Sequence, residues 1–156
     1  MLTQTNFKER MNYQKAAPGG VKALLEMEHY LATCGLEQGL TDLVKLRASQ
    51  INGCAYCIDM HSKDLRANGE SEQRIYELDA WQETPFYTER ERAALLWTEA
   101  VTRVADTHVP EAVYEQVQQQ FTEPELVNLT FVISTINVWN RILISCRREP
   151  GTYQPA

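Results

Sequence analysis

Residues 126–144, LVNLTFVISTINVWNRILI, constrain this chain more than any other stretch, since twelve of the nineteen are apolar. A run of this length is a helix, and one so apolar must be hidden on most of its sides. The alternative is a membrane span. Asn128, Asn137, Asn140 and Arg141 lie inside it, however, and each would be costly in lipid. The sequence therefore predicts a central helix buried by protein, and no membrane partner. If buried, Asn137, Asn140 and Arg141 need partners, either by lining a pocket or by fixing a subunit interface. The interface is the favoured expectation, because so many apolar side chains in so small a chain also suggest subunits burying surface against one another.

The remaining pattern is helical as well. GGVKALLEMEHYLATCG spaces its apolar residues by three and four, predicting a helix over 19–34 that stops at Gly35. A second is expected over 37–51, broken by Asn52-Gly53. The pattern resumes at CAYCIDMHSKDLRANG and then, from Ser71, at SEQRIYELDAW. Thr88 with Glu91, and Thr122 with Glu125, have the spacing of capping boxes, in which side chain and backbone satisfy each other at a helix start. Pro110 suits the first position of PEAVYEQVQQQF. No alternating stretch is long enough for a strand, so the fold class is all-α. With 156 residues, one domain spanning 1–156 is expected.

A net charge of −6 and a pI near 5.1 give no electrostatic footprint for nucleic acid. The N-terminal stretch is polar and lacks a signal-type apolar core, which predicts a cytoplasmic protein. In that reducing compartment a close CxxC is catalytic or metal-binding more often than structural. No haem, flavin or nucleotide signature appears, and no cofactor is expected.

The chemistry gathers in NGCAYCIDMH, residues 52–61. On a helix beginning near Cys54, the residues Cys54, Cys57 and His61 stand within about 60° of one another. Backbone N–H groups at a helix start stabilise a thiolate. Cys57 is closer to His61, which can take its proton, so Cys57 is the candidate nucleophile and Cys54 the candidate resolving thiol. Three alternatives stay open: a buried and inert pair, a one-shot oxidant sensor, and a zinc site with Cys54, Cys57 and His61 as ligands. His29 is read as a core or interface residue, His108 as exposed, Met60 as packing, and Cys34 and Cys146 as inert.

LVKLRASQINGCAYCIDMHSKDLRANGESEQRI, together with INVWNRILISCRREPG, resembles the AhpD-like alkylhydroperoxidases of the carboxymuconolactone decarboxylase superfamily over about residues 16–151. The resemblance implies an all-helical trimer or hexamer that reduces organic hydroperoxides, or else other thiol-disulfide substrates as a non-peroxidase oxidoreductase, and is regenerated by an external dithiol. It gives Cys57 the peroxidatic role, Cys54 the resolving role, and His61 with the upstream acid Asp42 a proton relay. Two positions depart from the pattern: Asp42 stands where glutamate is usual, and Tyr56 stands where the better-studied peroxidases carry histidine between the cysteines. The decarboxylase branch lacks the CxxC pair, so lactone decarboxylation is not expected.

Overall fold

The computed structural model describes residues 7–156, and among these there is no strand. The helices are α1 (Tyr13–Ala16), α2 (Pro18–Ala32), α3 (Gln38–Asn52), α4 (Ala55–Ala67), α5 (Glu72–Tyr76), a 3-10 turn at Leu78–Glu83, α6 (Glu89–Thr102), α7 (Val104–Thr107), α8 (Glu111–Val117) and α9 (Glu123–Cys146). Both capping boxes form. Glu91 N donates to Thr88 Oγ1 at 3.2 Å and Thr88 N to Glu91 Oε2 at 2.8 Å, with the same pair of bonds at Thr122 and Glu125. Pro110 differs from the expectation by one place: it is the N-cap of α8, and Glu111 is its first helical residue. SEQRIYELDAW is α5 followed by the 3-10 turn rather than one continuous helix.

Two apolar clusters share α3. Leu40 and Val44 join Ala94, Leu129, Val132 and Ile133, tying α3 to α6 and α9. One step round the same helix, Leu43 and Leu46 join Leu65, Leu78, Trp81 and Leu95, tying it to α4, the 3-10 turn and α6. Each such leucine contributes about 1.5–3 kcal/mol by leaving water. Between these clusters, Glu99 Oε1 accepts from Arg47 Nε at 3.0 Å and from Trp81 Nε1 at 2.9 Å, which gives the nearly buried guanidinium its counter-charge.

By length and composition α9 is apolar enough to cross a bilayer. Here it packs against α2, α3, α4 and α6. Asn137 and Asn140 take their hydrogen-bond partners from within the chain, where the sequence-based expectation favoured a subunit interface. Asn137 and Asn140 are buried within the chain, and Asn52 Nδ2 donates to both of their Oδ1 atoms at 2.9 Å. Asn140 Nδ2 donates to Ser49 Oγ at 3.0 Å, and Asn137 Nδ2 to Thr102 Oγ1 at 3.1 Å. Arg141 is exposed and donates back to Asn137. The network clamps the last turn of α3, where the chain turns toward Cys54.

Candidate active site

That turn has a local cause. Gly53 takes a left-handed φ of 68°, which glycine adopts without a Cβ penalty. Its N–H donates to Gln50 O at 3.2 Å, and the N–H of Cys54 reaches Ser49 O at 3.0 Å. This pair of bonds closes a helix C-terminus of the Schellman type. Cys54 then serves the next helix. With φ −81° and ψ 96° it is the N-cap of α4, and its Sγ accepts from Cys57 N at 3.4 Å. A single residue thus ends α3 through its backbone and begins α4 through its sulfur.

Cys54 and Cys57 are joined as a disulfide with Cα atoms 5.3 Å apart, inside the range that such a bond accepts. Each residue is only 1% exposed. Each nevertheless reaches an opening. Cys57, Met60, His61 and Asp64 of α4 line a cavity of about 410 Å³, with Asp42 and Lys45 of α3, Glu28 of α2 and Trp139 of α9. Cys54 does not line it, because an N-cap lies off the helical path assumed for three side chains on one face. It lines a separate groove of about 300 Å³ on the far side of Tyr56 and Leu143, both of which border the two openings.

His61 is 8% exposed. Burial first, and then the charge of Lys45, push its pKa down to about 3, so at neutral pH it is an uncharged imidazole. Asp42 shares the cavity with His61, but no hydrogen bond joins them among the described residues; its carboxylate accepts from Asn68 Nδ2 at 3.2 Å. Burial raises the Asp42 pKa, with Asn68 and Lys45 acting against the shift. Met60 faces the cavity rather than only packing, His108 is exposed, and His29 is exposed in the single chain. Among the described residues no group of three or more His, Cys, Asp or Glu side chains is placed to hold a metal ion.

Several wall residues were not anticipated. Glu28 accepts from Lys45 Nζ at 2.7 Å and from Trp139 Nε1 at 3.1 Å, so a second carboxylate is fixed beside Asp42. Lys45 follows Asp42 by three residues on one helix face, a spacing that could have revealed it. Tyr153 comes from the C-terminal tail. Its hydroxyl donates to Asp64 Oδ1 at 2.6 Å, while Lys63 Nζ donates to Tyr153 O at 3.0 Å and Gly151 N to Asp59 Oδ2 at 3.0 Å. Burial, and then the Asp64 contact, hold the Tyr153 phenol up at about 12.

A helical scaffold thus sets a CxxC pair at a helix start, with Cys57 against a cavity that also holds a histidine and carboxylates. The model of the carboxymuconolactone decarboxylase family matches residues 18–100. YdfG of Bacillus subtilis, an uncharacterized protein, is 43% identical over 88% of this chain and 93% of its own length. An Agrobacterium tumefaciens protein of unknown function, suggested to be an antioxidant defence protein AhpD, superposes with a TM-score of 0.90 at 45% identity, over 94% of this chain and all of that one. A peroxidase-related protein of Ralstonia eutropha, described as an alkylhydroperoxidase AhpD core, shares the fold with a TM-score of 0.78 at 20% identity, over 89% and 74% of the two chains. The chain belongs to the carboxymuconolactone decarboxylase family, in its AhpD-like group.

Proposed function

We propose that the protein is a CxxC-dependent peroxidase that reduces small organic hydroperoxides. The observation that carries this reading is Cys57, bonded to Cys54 and lining the same 410 Å³ cavity as His61. In the reduced protein His61, an uncharged imidazole too weakly basic to hold the Cys57 thiol proton, relays it across the cavity toward Asp42, while the start of α4 stabilises the thiolate. The thiolate attacks the outer peroxide oxygen, the O–O bond breaks, and the departing alkoxide takes a proton to leave as an alcohol. Cys57 is then a sulfenic acid. The Cys54 thiol attacks its sulfur, expelling water and forming the disulfide. An external thiol reductant returns two electrons and two protons, a demand that suits a protein working in the reducing cytoplasm.

The cavity wall narrows the substrate class. Glu28, Asp42 and Asp64 outnumber Lys45, and no arginine lines it. Charges of one sign repel a like-charged ligand, so uncharged hydroperoxides are the better substrates. As for assembly, Val127, Phe131 and Val138 form an exposed apolar stripe on α9, together with Ser134. This stripe supports a homo-oligomer closing over it, and the family resemblance is what implies a trimer or hexamer.

The test is a thiol titration followed by turnover. One equivalent of cumene hydroperoxide removes two of the four free thiols of the reduced protein. Cys57→Ser abolishes this loss, and Cys54→Ser leaves a trappable sulfenic acid. With a recycling dithiol, many equivalents are consumed, and a carboxylate-bearing hydroperoxide of similar size reacts about tenfold more slowly, which corresponds to about 1.4 kcal/mol. An unchanged thiol count refutes the peroxidase, and a single turnover makes the protein a sensor.

A further inference from the structure

The disulfide separates two openings whose walls differ in charge. The groove on the Cys54 side is lined by Arg10, Arg147 and Arg148 and by no carboxylate, in a chain whose net charge is −6. Two backbone features and one side-chain contact assemble the cluster. Arg10 N donates to Cys146 O at 2.9 Å, which brings the N-terminal segment against the end of α9. Arg147 ends that helix at a left-handed φ of 56°. Arg148 stands 5.6 Å from the ring centroid of Tyr56, the partition between the two openings. Among the described residues, the one ion pair involving these arginines is Arg148 with Glu9 at 3.6 Å. Guanidinium groups keep their charge at any physiological pH.

We propose that this groove admits the reductant, that the reductant is a small thiol bearing a carboxylate, and that it attacks the sulfur of Cys54. The proposal rests on the pair cycling between dithiol and disulfide. The incoming thiolate forms a bond to Cys54 Sγ, the Cys54–Cys57 bond breaks, and its electron pair leaves on Cys57 Sγ, which is stabilised at the start of α4. A second molecule of the thiol attacks the sulfur of the first in the mixed disulfide. Cys54 is released as a thiolate, and the two reductant molecules depart as their disulfide. Their two protons remain with Cys54 and Cys57. The arginines concentrate the anionic thiol and favour its thiolate form. Oxidant and reductant then enter by different doors, and Cys57 is freed on the side where peroxide arrives.

The experiment begins from protein oxidised with diamide, so no peroxide takes part. Reduction is followed with 3-mercaptopropionate, 2-mercaptoethanol and cysteamine, which are anionic, neutral and cationic, with rates corrected for thiolate concentration. The expected order is anionic over neutral over cationic, with about tenfold between the extremes at low ionic strength and little difference in high salt. Replacing Arg10→Gln and Arg147→Gln together removes the preference, and the paired lysine substitutions retain it. Alkylation during the reaction traps the mixed disulfide on Cys54. Equal rates for the three thiols, a preference untouched by the glutamine pair, or a mixed disulfide on Cys57 overturns the proposal. A protein that shows the charge preference and yet does not react with peroxide keeps this groove and loses the peroxidase; the reverse result separates them the other way.

Discussion

Asn140 is wholly buried on α9, and its Oδ1 accepts from Asn52 Nδ2 at 2.9 Å across 88 residues of sequence. The contact holds the helix turn that leads into Cys54. Asn140→Leu leaves Ser49 Oγ without its donor and leaves Asn52 with Asn137 alone. A loss of about 1–3 kcal/mol is expected from the unsatisfied groups, read as a lower urea midpoint. Because the damage lies at the Gly53–Cys54 turn, alkylation of the reduced CxxC pair also speeds up, measured by mass spectrometry at partial labelling.

What could be read from the sequence was what short-range bonding decides. The capping boxes at Thr88 and Thr122, the break at Gly53, and the helix over 37–51 follow from neighbours a few residues apart or from periodicity. The partner of a buried polar group is another matter. Burial dictates that Asn137 and Asn140 be paired, but not that Asn52, Ser49 and Thr102 do the pairing, and hence the interface was favoured. Glu28 and Trp139 meet across 111 positions, which no local pattern encodes. The split of the two cysteines between two openings was hidden for a subtler reason. It depends on whether Cys54 is the cap or the first residue of its helix, a shift of one position that periodicity does not resolve.

Acid should weaken the fold through His61. Its folded value near 3 lies below the 6.5 of an ordinary histidine. Between those values the unfolded chain holds a proton that the folded chain refuses. Stability from this residue is therefore complete above about pH 6.5 and declines as the pH falls, by up to about 1.4 kcal/mol per unit. Asp42 has the opposite sign: its raised folded value favours the protonated native form, a contribution present below 3.8 and lost as the pH rises through that higher value. Asp42 is common to the wild type and to a His61 variant, so the difference between the two proteins reports His61. Urea midpoints at pH 7 and pH 5 should differ more in the wild type than in His61→Asn; equal differences would mean that the imidazole is charged in the folded protein.

Phe131, 44% exposed, lies in line with Val127 and Val138 on α9. If copies of the chain close over this stripe, Phe131→Asp places a charge in the interface and leaves the intrachain core untouched. Sedimentation velocity should show the assembly reduced to monomer, with the helical circular dichroism signal unchanged. A wild-type protein that sediments as a monomer would leave the stripe without a partner of its own kind.

The tail segment at Tyr153 has a practical side. One wall of the cavity at Cys57 is carried by chain outside any helix, tied down by the side chains of Asp59, Lys63 and Asp64. An affinity tag or reporter fused after Ala156 pulls on those few tethers first, and it can change which molecules reach Cys57 while thermal melting still looks normal. Preparations that differ only in which end bears the tag are therefore not interchangeable in an activity assay.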